Sequence, residues 1–292
     1  MKAAACLIEL CRKAAKRGWR ANCEAAVFRA LLNIIKPRGK RIISNLALVY
    51  PEKDGRARND MRRLVYDHFG WMIAELLTLQ RDVSAALDWV DEIQFPRYIE
   101  PAIDAGRGVI FLSAHYGNWE LAAAWYAQYL KKRAPHNFYI VSQSTRDPDI
   151  SAIIDRFRAN AGIKLLPKST STLEFVKLLK DGAHVAALAD ISWLGGVTLP
   201  FFGHPCTHTM GPAVLASLSG APIIPVALYR KAPFSHAVEF FPPILARHDP
   251  KEKNRRMELE RVTREVISAT ERMIEKRPEL WFWLHNRWKR PL

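Results

Sequence analysis

The chain has 292 residues, 49% hydrophobic and 25% charged, so it carries enough apolar material for a large folded core and is not an intrinsically disordered or fibrous chain. Its 44 Lys and Arg against 29 Asp and Glu give a net charge of +15, and residues 1–40 hold ten of the basic side chains but only Glu9 and Glu24 as acids. That end seeks anions, which admits nucleic acid, an anionic membrane face or an acidic carrier protein as partner.

Residues 3–35 read as a basic amphipathic helix, with Leu7, Leu10, Ala14, Val27, Leu31 and Ile34 spaced for one face. Such a helix either lies flat on anionic lipid or packs on the domain with its basic face solvated. Arg12, Lys13, Lys16, Arg17 and Arg20 interrupt the only candidate membrane span there, so attachment should be peripheral. Pro37, Arg38 and Gly39 break the helix. A second helix is expected over 59–79, carrying Leu64, Phe69, Ile73, Leu76 and Leu77. The simplest organisation is an N-terminal helical segment over 1–40 and one α/β domain over 41–292.

From residue 106 strand and helix patterns alternate. Strands are predicted at 108–113, 138–142, 163–166, 184–189, 197–202, 223–229 and 236–241, with helices at 118–131, 148–160, 171–181 and 212–219 between them. A final helix over 256–276 places Leu259, Val262, Val266 and Met273 on one face and stops before Pro278. The fold class is α/β, a central mixed sheet flanked by helices with an N-terminal helical extension.

Chemistry concentrates in residues 108–120, GVIFLSAHYGNWE. The apolar run Val109 to Leu112 suits a buried strand, and Asn118 is a good N-cap for the helix that follows. His115 is therefore expected at the carboxyl end of a strand, and Glu120 in the first turn of the next helix, where open α/β sheets bind ligands. An imidazole there can take a proton from an alcohol, and a carboxylate beside it fixes its tautomer. The spacing alone is uninformative, since nine His and 29 acids in 292 residues give about one such pair by chance. Backbone amides of the turn Tyr116 to Asn118 are the nearest donors for a developing oxyanion. No GxSxG elbow occurs, so direct transfer is preferred to an acyl-enzyme.

The remaining signals point mostly to structure. No charge occurs from Ile191 to Tyr229, yet Pro212, Pro222 and Pro225 make this a helix, a Gly220 cap and a strand rather than a membrane span. The cysteines Cys6, Cys11, Cys23 and Cys206 form no CxxC pair, and no signal-peptide cleavage pattern precedes them, so a reduced cytoplasmic setting is expected. His204-Pro-Cys-Thr-His208 has a zinc-like look, but Pro205 opposes a helical ligand pair, and neither metal nor cofactor is expected. Lys164, Lys168, Lys177 and Lys180 read as a solvated face or as contacts for acceptor phosphates or an acidic carrier. Phe201, Phe202, Trp119 and Trp193 are candidate linings of an acyl slot, and Trp281 and Trp283 of the tail are expected in the core.

Taken together, HYGNWE, TLPFFG at Thr198 to Gly203, GPA at Gly211 to Ala213, GAPIIPV at Gly220 to Val226, WLHNRWK near the end and NLALVYPEK at Asn45 to Lys53 resemble the late acyltransferases of lipid A biosynthesis. These form the lauroyl and myristoyl transferase branch of the glycerolipid, or lysophospholipid, acyltransferase superfamily, and the likeness runs from about residue 25 to the end. The resemblance implies an HX4E-type O-acyltransferase moving a fatty acyl chain from acyl carrier protein, or from coenzyme A, to a hydroxyl of a membrane glycolipid, foremost a lipid A precursor. It implies His115 as the catalytic histidine, Glu120 as its acidic partner and Asp190 as a further functional residue. Where the family commonly shows Tyr-Arg-Pro, this chain has Ser142, Gln143 and Ser144, so Arg146 is the nearest source of the missing charge. Asn118, Gln143, Arg146, Lys168 and Asp190 are thus the expected substrate-binding residues. The expected site of action is the cytoplasmic face of the bacterial inner membrane, peripherally on an anionic surface and without nucleic acid. The competing readings are an acyltransferase for a glycosylated phosphatidylinositol or an ornithine lipid, a thioesterase, and a non-catalytic basic membrane- or nucleic-acid-binding protein.

Overall fold

In a computed structural model, which describes residues 19–133, 137–141, 148–167, 169–191, 196–247 and 255–288, the apolar run before His115 forms strand β2 (Val109–Ser113), buried along its whole length. Successive side chains of a strand alternate faces, and both faces of β2 are dry: Val109 and Phe111 join one core, Ile110 and Leu112 another. It lies at the centre of a seven-stranded sheet of order β1-β9-β8-β2-β5-β3-β4. The other strands are β1 (Val90–Gln94), β3 (Phe138–Val141), β4 (Lys164–Leu166), β5 (His184–Leu188), β8 (Ile223–Ala232) and β9 (Ser235–Phe240). Strands β8, β2, β5, β3 and β4 run parallel, whereas β9 is antiparallel to β8 and carries β1 parallel to itself. This is the mixed sheet the sequence pattern calls for.

Before the sheet come α1 (Trp19–Ile35), α2 (Gly39–Val49), α3 (Gly55–Arg81) and α4 (Ala85–Trp89), then the short α5 (Glu100–Asp104). Within the sheet region come α6 (Trp119–Arg133), α7 (Pro148–Asn160), α8 (Thr172–Lys180) and α9 (Gly211–Ser219), and α10 (Arg255–Lys276) follows it. Side chains of α6 and α7 fill the core on one face of the sheet, and those of α8, α9 and α10 the core on the other. A third core gathers α2, α3 and the C-terminal segment around Ala114 and Tyr116, so the turn after β2 is itself packed. Trp281 and Trp283 lie in this core, as expected.

The structure departs from the sequence pattern at several elements, the short α4 and α5 among them. Helix α2 begins where Pro37, Arg38 and Gly39 read as a break, because Arg38 adopts a left-handed N-cap (φ 53°) that turns the chain into a new helix. Strand β1 is a half-exposed edge strand without an apolar run. The expected strand at 197–202 is β6 (Val197–Phe201), and it leaves the main sheet to pair with β7 (His204–His208) in a separate hairpin. Phe202 and Gly203, both at positive φ, close that hairpin with the backbone twist a two-residue turn requires. Pro205 is tolerated because β7 is an edge strand.

Of the N-terminal helix, residues 1–18 lie outside the described residues, and α1 packs along α3. Close approach depends on Gly70, where a Cβ would sit 2.7 Å from the Arg29 amide nitrogen. The apolar face read from the sequence does not enter the core: Val27, Leu31, Ile34 and Ile35 are 55%, 44%, 74% and 68% exposed. Among the described residues no helix is long and apolar enough to cross a membrane.

Candidate active site

Two residues beyond the end of β2, His115 meets Asp190, two residues beyond the end of β5. The register explains the meeting: Ser113 lies opposite Leu188 in this parallel pair, so chain positions two further on come out side by side. The His115 Nδ1 lies 2.9 Å from Asp190 Oδ1, and the His115 backbone amide donates to Oδ2 at 2.9 Å. The indole of Trp281 donates to the same Oδ2 at 2.8 Å. Burial would push the Asp190 carboxyl up, but the facing imidazole and these two donors hold it at about 2. Burial likewise opposes the charged imidazole, and the Asp190 charge overcomes it, so His115 sits above the ordinary histidine value. With Nδ1 committed to a carboxylate, Nε2 is the nitrogen left for a substrate, and the side chain keeps 19% exposure. Trp119 and Phe282 flank the ring at 5.2 and 6.0 Å between centroids.

Glu120 does not hold the imidazole. Its carboxylate forms a two-pronged ion pair with Arg158 of α7, at 3.0 Å from Nε and 2.6 Å from Nη2, with both side chains largely buried. The sequence expectation is corrected by helix geometry: Glu120 lies in the first turn of α6 on the face toward α7, while His115 turns toward β5. Arg158 is the residue beside this site that sequence reasoning missed. It brings positive charge to a site whose expected arginine is absent from the sequence after the helix. The predicted helix 148–160 held the signal, but nothing local says which of its faces meets α6.

The turn between His115 and α6 is held from three directions. Asn118 caps α6 as predicted, its Oδ1 accepting from the Leu121 amide at 3.1 Å. Its Nδ2 donates to Glu75 at 2.9 Å, part of a buried cluster in which Arg230 grips Glu75 at 3.0 and 2.5 Å and His236 lies 3.3 Å away. His68 bridges this cluster to the turn, accepting from Arg230 through Nδ1 at 2.7 Å and donating from Nε2 to the Gly117 carbonyl at 3.2 Å. Burial and the adjoining Arg230 keep His68 neutral, well below the usual histidine value. Gly117 sits at φ 59° with room for no side chain, since a Cβ would lie 1.9 Å from the Leu228 carbonyl oxygen.

From the C-terminal side, Phe282 donates to the His115 carbonyl at 2.9 Å, and the Gly117 amide donates to Leu280 at 2.9 Å. The Tyr116 amide is taken by Ala114 at 2.7 Å. The amides of Tyr116 and Gly117 are therefore spent on structure, which corrects the expectation for two of the three oxyanion donors sought in the turn Tyr116 to Asn118.

Asn118 is 1% exposed and Asp190 3%, so both act from beneath the site. Gln143, Arg146, Lys168 and Trp193 lie outside the described residues. Phe201 is buried against Trp281 and Trp288 in the third core, while Lys164, Lys177 and Lys180 are exposed. Cys206 and His208 lie 3.2 Å apart with Arg287 against the ring, and among the described residues no cluster of His, Cys, Asp and Glu has the makings of a metal site.

A family model described as bacterial lipid A biosynthesis acyltransferase matches residues 14–290. Among curated proteins, the chain is similar to the phosphatidylinositol mannoside acyltransferase of Mycolicibacterium smegmatis, with 28% identity over 130 residues, 43% of this chain and 41% of that protein. It is also similar to the phosphatidylinositol mannoside acyltransferase of Mycobacterium tuberculosis, with 26% identity over 134 residues, 44% of this chain and 40% of that protein. The aligned stretch spans about two fifths of the length of these curated relatives.

Proposed function

The chain belongs to the bacterial lipid A biosynthesis acyltransferase family, and from that premise we propose that it transfers a fatty acyl group from an acyl thioester to a hydroxyl of a membrane glycolipid. The observation that carries this reading is the bond between His115 Nδ1 and Asp190 at the lip of the sheet, which leaves Nε2 as the base. The acceptor hydroxyl loses its proton to Nε2 while its oxygen attacks the thioester carbonyl. The new carbon–oxygen bond forms, the carbon–sulfur bond breaks, and the imidazolium returns its proton to the leaving thiolate. Asp190 stays ionised throughout and stabilises the imidazolium, an arrangement whose general-base part contributes on the order of 10² to 10⁴ in rate.

Negative charge builds on the carbonyl oxygen during attack. With the Tyr116 and Gly117 amides engaged, the Arg158 cation is the side chain suited to oppose that charge, and Glu120 fixes its position. The donor is an acyl carrier protein or coenzyme A thioester, and the protein works peripherally at the cytoplasmic face of the membrane. The names of the curated relatives favour a glycosylated phosphatidylinositol over a lipid A precursor as acceptor. Incubation with labelled acyl carrier protein or acyl coenzyme A and a panel of membrane lipids, read by product mass, tests this. An acylated glycolipid that disappears in His115→Ala supports it. Undiminished transfer in that variant, or release of free fatty acid alone, overturns it.

A further inference from the structure

Away from the imidazole, the described residues contain an open cavity of about 700 Å³ between the start of α2 and the C-terminal segment, lined by Arg38, Lys40, Arg41, Ser44, Leu284 and Asn286. A smaller one of about 370 Å³ adjoins it, sharing Arg41, Ser44 and Asn286. Three of the six lining side chains of the larger cavity are cations, and none is acidic. Among the described residues no carboxylate pairs with Arg38, Lys40 or Arg41: Arg38 donates to the Leu284 carbonyl at 3.2 Å and Arg41 to Asn286 Oδ1 at 2.5 Å. Both guanidinium groups are thus aimed by single neutral contacts, with further N–H donors to spare. A chain with 29 acids that leaves this cluster uncompensated holds a site for an anion from outside.

The cavity is tied to the reacting histidine by a short, rigid route. Buried Asn45 of α2 donates to the carbonyls of Trp283 and His285, both at 2.8 Å, clamping the C-terminal segment to the helix that bears the cations. Phe282, which packs on the His115 ring and bonds its carbonyl, is only two residues from Leu284, a span of at most about 7 Å. The segment that lines the cavity at Leu284 is thus the one that packs on the imidazole at Phe282. On the other side, α1 ends with its exposed apolar ridge of Val27, Leu31, Ile34 and Ile35, directly before Lys36 and Arg38. Apolar side chains beside cations are complementary to a bilayer with anionic headgroups, and a ridge seated there brings the cavity to headgroup depth.

We propose that the cavity formed by Arg38, Lys40, Arg41 and Ser44 is the subsite that holds the phosphate of the acceptor lipid headgroup, fixing which hydroxyl reaches His115. The proposal rests on the acyltransferase reading for its purpose, but the binding event is independent of catalysis. The exposed apolar side chains of α1 that precede these cations in the chain favour the acceptor phosphate over the phosphates of the donor.

The test uses the full chain, with glycerophosphoinositol as the headgroup probe and coenzyme A as the donor-side probe, titrated by calorimetry. Arg38→Ala/Lys40→Ala/Arg41→Ala should weaken glycerophosphoinositol binding by roughly tenfold to a hundredfold, the factor for losing one or two charge-assisted hydrogen bonds. Ser44→Trp, which fills the cavity without removing charge, should weaken it similarly. Arg255→Ala/Arg264→Ala/Arg272→Ala, which removes equal charge from exposed α10, should stay within about twofold. Coenzyme A should show no difference between wild type and any of these variants. Binding to the cavity variants within twofold of wild type, equal loss in the α10 control, loss falling on coenzyme A instead, or no binding by the wild type overturns the subsite. His115→Ala should bind the headgroup probe as wild type does. Absence of acyl transfer by the wild type with headgroup binding intact would overturn the acyltransferase reading and leave the subsite standing.

Discussion

Of the carboxylates around the turn after β2, Asp190 and Glu120 do opposite work. Asp190 faces an imidazole and leaves it poised to accept a proton at its far nitrogen, whereas Glu120 faces a guanidinium that never gives up its charge. The nearer acid in sequence, five residues from His115, pairs with Arg158 instead of the ring. The acid 75 residues away holds the ring. What separates them is the partner, because each carboxylate is buried and each is met by its own cation or donors. Chain distance is a poor guide to an acid–base pair when adjacent parallel strands set the geometry.

The difference can be broken most directly at Asp190. Asp190→Asn keeps the shape and one acceptor oxygen but removes the charge that stabilises the imidazolium, so acyl transfer should fall by roughly 10²- to 10⁴-fold with the fold retained. Steady-state transfer rates alongside circular dichroism check this, and transfer within threefold of wild type would mean that Asp190 does not act on His115. Glu120→Gln is expected to fail in the other way. It strands Arg158 without its counter-charge, which should lower stability by about 3 kcal/mol in urea unfolding. Glu120→Gln/Arg158→Gln, which removes both charges, should recover part of that stability and yet transfer slowly, because the cation facing the oxyanion is gone. Stability of the double variant below that of Glu120→Gln would contradict the pairing.

A smaller effect should separate the pairs by pH. The His115 value is raised, so the base form is gained only as pH climbs past the ordinary histidine range, and kcat/KM should rise with an apparent pKa above about 6.5. The ionic part of the His115–Asp190 bond adds stability only where both are charged. That window opens above about 2, where Asp190 ionises, and closes as pH rises through the raised histidine value. Asp190→Asn should move the rate limb to lower pH, and Glu120→Gln should move it less. The smallest change comes from the cap: Asn118→Ala should lower stability by about 1 to 2 kcal/mol, as it removes both the Leu121 contact and the donor to Glu75. A loss below about 0.5 kcal/mol in the same urea titration would show the cap to be dispensable.

Much of this site was legible in the chain. The apolar run, the histidine at its end and the capped helix each follow a local rule, and the resemblance picked out Asp190. The pairing of Asp190 with His115 was not legible, because strand order is a property of the whole sheet: β5 lies beside β2 although α6, β3, α7, β4 and α8 intervene in sequence. Arg158 was missed for the same reason. The buried cluster of Glu75, Arg230, His236 and His68 assembles from one helix and two strands, with no spacing to announce it. The apolar stripe of α1 was visible, but its outward orientation was not, since a stripe facing lipid and a stripe facing a core have the same period.

The tautomer of His115 tests the account most directly, and nitrogen-15 NMR of selectively labelled imidazole reads it. Neutral His115 should carry its proton on Nδ1, with a downfield proton signal that persists in Glu120→Gln and is lost in Asp190→Asn. A proton on Nε2 in the wild type, or a signal that vanishes with Glu120 and survives the loss of Asp190, would contradict it.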